Sequence, residues 1–79
     1  MNFNVVLNSV DKVKKFVNVV SKLPYDCDLV SGRYIVDAKS IMGIFSMNLS
    51  KPLELRINLD EKDFSAKDKI FSQLEDFTM

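Results

Sequence analysis

The 79-residue sequence contains no histidine at all, and it has one cysteine, two glycines and two prolines. Without histidine the chain has no Ser-His or Cys-His nucleophile pair, no histidine-ligated metal and no site for phosphohistidine chemistry. The single Cys27 cannot form an internal disulfide, and alone it cannot anchor a zinc site. The side chains therefore argue against a small enzyme, and we expect neither a cofactor nor a metal.

An excess of one charge is also lacking, because eleven basic residues balance eleven acidic ones. A chain with no net charge has no long-range field that favours nucleic acid or an anionic membrane. The apolar runs are far shorter than the roughly 20 residues that cross a bilayer. The start, Met1-Asn2-Phe3-Asn4, carries no secretion signal. We therefore expect a cytoplasmic protein that binds neither nucleic acid nor membranes.

The sequence does contain a succession of short periodic segments within one domain over residues 1–79. They predict strands over 2–7, 26–30, 33–37 and 53–60, a helix capped by Asn8 or Ser9 and ending at Leu23-Pro24, a short helix over 39–47, and a final helix after Asp60. Strict alternation makes the strand at 53–60 the clearest of these. The order β-α-β-β-α-β-α implies an α+β sandwich, with an antiparallel sheet and helices on one face.

Each long helix has an apolar stripe that should face the core. The stripes consist of Val10, Val13, Phe16, Val17 and Val20 in the first helix and of Phe64, Ile70, Phe71, Leu74 and Phe77 in the last. The carboxylates of Asp60, Glu61 and Asp63 stand together without histidine or cysteine. We therefore interpret them as helix caps rather than as metal ligands.

The segment Ala38-Lys39-Ser40-Ile41-Met42-Gly43-Ile44-Phe45-Ser46-Met47 resembles the regulatory-serine segment of HPr, the phosphocarrier family of the bacterial sugar phosphotransferase system. Ser21-Lys22-Leu23, the hairpin and this segment keep the family's spacing without a gap. The strand at 53–60 and the closing helix also fall where that fold places them, so the resemblance covers nearly the whole chain. It implies an HPr-like open-faced sandwich, in which helices pack on one face of a four-stranded antiparallel sheet.

The sequence departs from the family where phosphate is carried. The family's spacing puts Ser9 at the position of the phosphorylated histidine and Asp11 at that of its arginine. A serine phosphate ester lacks the transfer potential of a phosphoramidate, and a hydroxyl without a base is a poor nucleophile. Asp11 would repel a phosphoryl group. We therefore expect no phosphocarrier activity.

The regulatory half of the family's surface is retained. In the family a serine kinase modifies the position of Ser40, and Ile41, Met42 and Phe45 match an exposed docking surface. Histidine-lacking relatives, the catabolite-repression HPr-like proteins, work by this serine alone. The resemblance implies a non-catalytic regulator or adaptor whose partners are HPr kinase, a transcriptional regulator or phosphotransferase-system proteins.

Two other interpretations remain open for this segment. Ser40 is also what an ordinary helix N-cap requires, and Ile41, Met42 and Phe45 could lie partly in the core. The alternative for the whole chain is an HPr-fold interaction module that has no remaining role in the phosphotransferase system.

Overall fold

A computed structural model describes residues 1–78. The elements are β1 (Asn2–Val5), α1 (Val10–Val20), β2 (Cys27–Ser31), β3 (Tyr34–Asp37), α2 (Ile41–Phe45), β4 (Leu53–Ile57) and α3 (Lys67–Leu74), with 3₁₀ turns at Glu61–Ala66 and Glu75–Phe77. Within residues 1–78, no helix is long and apolar enough to cross a membrane.

The four strands form one sheet in the order β1-β4-β2-β3, and every neighbouring pair is antiparallel. The predicted α+β architecture is therefore confirmed. The central β4 pairs with both β1 and β2, so that Leu55 lies opposite Phe3 on one side and opposite Leu29 on the other. Gly32 is the first residue of the two-residue turn between β2 and β3. Its φ of +58° is a backbone conformation that glycine adopts without strain.

Alternation along β4 divides the sheet into a helix-covered face and an open face. Leu53, Leu55 and Ile57 are buried in the core, whereas Arg56 is exposed on the other side. The strand ends at Ile57 rather than at the predicted Asp60. The reason is that Cys27, the first residue of β2, pairs with Ile57 and ends the ladder there.

The closing segment differs from the single helix predicted after Asp60. A 3₁₀ turn precedes α3, so Phe64 does not continue the stripe of α3 and lies half exposed under the Lys67 ammonium, 4.3 Å from the ring centroid. Phe71 is also exposed and contacts Phe3 edge-on at 5.7 Å. Asp60 occupies the N-cap position without a side-chain hydrogen bond, so the predicted cap at that residue is wrong.

Candidate partner-binding surface

Ser40 is the N-cap of α2. Its Oγ accepts a hydrogen bond from the Gly43 N–H at 3.2 Å, and its carbonyl accepts one from the Ile44 N–H at 3.0 Å. The backbone of Ser40 is extended, as an N-cap requires. The capping role predicted for Ser40 is confirmed, and its half-buried side chain stands where the chain enters the helix.

The turn before Ser40 is held by three hydrogen bonds. Asp37 accepts the Lys39 N–H on Oδ1 at 2.9 Å and the Ser40 N–H on its carbonyl at 3.0 Å. The Lys39 ammonium donates to the Leu23 carbonyl at 2.8 Å, which fastens the turn to the chain beyond α1. Ser40 is thus presented from a fixed backbone, and the Lys39 charge is already engaged by a carbonyl.

Gly43 allows α2 to pack closely against its own cap and against β3. A Cβ at this position would lie 3.3 Å from the Ser40 Oγ and 3.4 Å from the Val36 Cβ. The first distance is shorter than ordinary van der Waals contact, so a larger residue would press on the hydroxyl group of Ser40.

The three predicted docking residues differ in exposure. The side chain of Met42 is 76% exposed and that of Phe45 is 41% exposed, whereas Ile41 is half-buried against the core. Ile44, between them in sequence, is fully buried and anchors α2. We call Ile41, Met42 and Phe45 the apolar patch. A flexible methionine beside an aromatic ring suits contact with a protein partner.

A groove extends the apolar patch toward the start of α1. It has a volume of about 590 Å³ and is lined by Asn8, Ser9, Val10, Phe45, Leu49 and Ser50. Val10 is 56% exposed, so the prediction that it belongs to the core stripe of α1 is wrong. Val10 keeps helical spacing to Val13, and only the tertiary packing distinguishes the two. Sequence reasoning also missed Leu49, which lies outside any regular element.

Ser9 also lines this groove and is the N-cap of α1. Its Oγ accepts the Lys12 N–H at 3.2 Å, the same arrangement that Ser40 has in α2. Asp11 is exposed in the first turn, where a negative charge is favoured by the helix dipole. The structure therefore brings Ser9 beside Phe45, whereas Ser40 stands at the opposite end of the five-residue α2.

Cys27 lies apart from this surface, in the core at the start of β2. Burial raises the pKa of its thiol, and the carboxylates of Asp37, Asp28 and Asp26 add to this against the opposing Lys39 charge. A buried thiol with a raised pKa is a weak nucleophile. Cys27 is therefore a small core residue.

Comparison with protein families identifies the class of protein that this fold and surface define. The PTS-HPr model, described as the PTS HPr component phosphorylation site, matches residues 11–77. The chain belongs to the HPr family. The matched range begins two residues after Ser9.

Solved structures of phosphocarrier proteins share the fold. The HPr-C-His protein from Thermoanaerobacter tengcongensis superposes with a TM-score of 0.72 at 23% identity, over 94% of this chain and 89% of the other. The histidine-containing phosphocarrier protein of a Mycoplasma superposes with a TM-score of 0.69 at 13% identity, over 96% and 93% of the two chains. No curated protein matches the sequence.

Proposed function

We propose that this chain is a non-catalytic, cytoplasmic regulator or adaptor of the phosphotransferase system, consisting of one HPr-like domain over residues 1–79. It carries no phosphate on histidine and binds protein partners through the apolar patch. Phosphorylation of Ser40 controls that binding. The observation that supports the proposal most strongly is the position of Ser40, which caps the short helix that carries the exposed Met42 and Phe45.

The chain lacks the group that carries phosphate in the family. The sequence has no histidine that could act as a base on the Ser9 hydroxyl. Its Oγ is instead an acceptor for the Lys12 N–H. The groove beside Ser9 is therefore better suited to holding an apolar side chain of a partner than to phosphoryl transfer.

A phosphate on Ser40 would add negative charge at the start of α2. A phosphoserine carries roughly −1.5 to −2 charges and three acceptor oxygens. The unpaired N–H groups of the first helical turn would satisfy some of these oxygens. The Lys39 ammonium keeps its charge while it donates to the Leu23 carbonyl, so it offsets at most one of the added charges and the rest stays available to a partner.

The added charge would change which partners the apolar patch binds. A dianion at the start of the helix that carries Met42 and Phe45 weakens docking by an apolar or acidic partner, because burying the charge without a counter-charge is unfavourable. A partner that offers arginine or lysine gains instead. The candidates are HPr kinase, other phosphotransferase-system proteins and a transcriptional regulator.

The binding surface is tested by titrating the chain with HPr kinase and measuring the dissociation constant. Phe45 and Phe71 have nearly equal exposed fractions, 41% and 42%, and therefore form a matched pair. We expect Phe45→Ala to weaken binding at least tenfold and Phe71→Ala to leave it within twofold. Equal effects of the two variants would contradict a patch on α2. If the unmodified chain does not bind the kinase, an HPr-fold interaction module outside the phosphotransferase system becomes the better interpretation.

A further inference from the structure

The two edges of the sheet differ in how they are covered. At the β1 edge, the Val6 N–H donates to the Phe77 carbonyl at 2.7 Å, and Val5 forms a bridge with Thr78. Within residues 1–78 no strand pairs with the outer edge of β3. This strand also exposes two large side chains, Tyr34 at 74% and Ile35 at 61%. Such an edge is a template for pairing with another strand.

The backbone of β3 fixes which groups face outward. The Ala38 N–H donates to the Cys27 carbonyl at 2.9 Å, so Cys27 and Ala38 form a hydrogen-bonded pair. Hydrogen-bonded and non-hydrogen-bonded pairs alternate along an antiparallel ladder, so every second pair of β2 and β3 counted from this one is hydrogen-bonded. Leu29 with Val36 is such a pair, whereas Val30 with Ile35 is not. The N–H and C=O of Ile35 therefore point away from β2, toward the free edge.

We propose that β3 pairs antiparallel with β3 of a second copy of this chain, about a two-fold axis at Ile35. In this register Ile35 faces the partner's Ile35, and both outward-pointing groups of each residue are satisfied by two hydrogen bonds. The result is a continuous eight-stranded sheet. The proposal is independent of the function assigned to Ser40.

The charges of the edge are complementary to themselves in this register. Arg33 and Asp37 stand two residues on either side of Ile35, so each Arg33 lies opposite the partner's Asp37. Among residues 1–78 the one ion pair is Arg56–Glu54, which leaves Arg33 without a carboxylate. Asp37 lies opposite Asp28 within the sheet, and like charges at such positions are unfavourable. A partner's Arg33 would offset that repulsion.

The apolar side chains match in the same register. Tyr34 lies opposite the partner's Val36, and both belong to the helix-covered face because Val36 is aligned with the buried Leu29. Ile35 meets its own copy on the open face, next to the half-buried Val30. Aromatic with β-branched pairs are among the favourable cross-strand contacts. Since β3 has only four residues, the interface is small and we expect a dissociation constant of about 10–500 μM.

A crosslinking experiment tests the position of the axis. Facing residues of a hydrogen-bonded pair have Cα atoms about 5.5 Å apart, a separation that a disulfide spans. In a Cys27→Ala background, Ile35→Cys should form a disulfide dimer at least tenfold faster than Asn4→Cys. Asn4 is exposed in the same row of the open face, at the other edge. Equal rates would overturn the proposal.

Sedimentation equilibrium tests the charge pattern. The average mass of the unmodified chain should rise between 10 μM and 1 mM, and a monomer throughout this range would overturn the proposal. Arg33→Asp and Asp37→Arg should each weaken self-association at least tenfold, and their equimolar mixture should associate like the unmodified chain. Failure of the mixture to associate would also overturn it. Asp37 accepts the Lys39 N–H, so if Asp37→Arg does not fold, Arg33→Asp and the crosslinking rates decide.

Discussion

Ser9 and Ser40 illustrate how much depends on the surroundings of one residue type. Each caps a helix, and each Oγ accepts a backbone N–H at 3.2 Å. Ser9 stands at the position expected for the family's histidine, beside a groove. Ser40 stands in the Lys39-Ser40-Ile41-Met42-Gly43 segment that resembles the family's regulatory site. The two serines therefore provide matched controls, since replacing either by alanine removes one cap and is expected to lower stability by about 1 kcal/mol.

At Ser9 we expect no phosphoryl transfer from the first enzyme of the phosphotransferase system. Incubation with phosphoenolpyruvate and that enzyme should leave no acid-labile phosphate on the chain, because the acceptor imidazole is missing. Intact mass before and after acid treatment measures this, with an authentic histidine-containing phosphocarrier as the positive control. A stoichiometric acid-labile adduct on this chain would contradict the argument.

Gly43 and Ser40 should be energetically coupled. Alanine in a helix is favoured over glycine by about 1 kcal/mol, but the added Cβ would press on the Ser40 Oγ at 3.3 Å. We expect Gly43→Ala to be more favourable by about 0.5–1 kcal/mol in a Ser40→Ala background than in the unmodified chain. Chemical denaturation of the four chains gives this coupling energy. If the effects of the two substitutions on the free energy of unfolding are additive, the Ser40 hydroxyl group moves aside at no measurable cost.

At the scale of elements, the sequence predicted their order and the buried face of β4, because these depend on local periodicity. Element ends were predicted less well, since β4 stops where its neighbour β2 begins rather than where its own alternation stops. Val10 fits the apolar stripe of α1, yet its side chain is exposed in the groove that it shares with Phe45 of α2. Its exposure depends on how α2 packs, and the spacing within α1 does not predict that packing. Phe64 lies in the 3₁₀ turn before α3, and residues of that turn do not keep the α-helical spacing of the stripe. Its side chain is therefore exposed, although the sequence pattern placed it in the stripe.

The short length of α2 limits how phosphorylation can act on it. A five-residue helix has a small dipole, so phosphate on Ser40 should stabilise the fold by no more than about 1 kcal/mol. The main effect is then on partner binding rather than on conformation. The melting temperature of the phosphorylated chain should therefore exceed that of the unmodified chain by no more than about 4–8 °C. A large shift, or a rearranged amide spectrum beyond residues 37–46, would indicate a conformational switch instead.

At the scale of the whole molecule, a small core leaves little stability to lose. Leu55 is fully buried in the central strand, between Phe3 and Leu29 on the neighbouring strands. We expect Leu55→Ala to lower the free energy of unfolding by about 2–4 kcal/mol, a large part of the roughly 5 kcal/mol available. The adjacent, exposed Arg56→Ala should change it by less than about 1 kcal/mol. Similar melting curves for both variants would contradict the register of β4.

The central claim, that Ser40 is the modified switch of a chain that carries no phosphate on histidine, is tested most directly by intact mass after incubation with HPr kinase and ATP. The account predicts one acid-stable phosphate on the unmodified chain and on Ser9→Ala, and none on Ser40→Ala. Ser9→Ala loses the equivalent cap, so it separates loss of the acceptor from loss of stability. Phosphorylation of Ser40→Ala to the same extent, or of none of the three chains, would contradict the account.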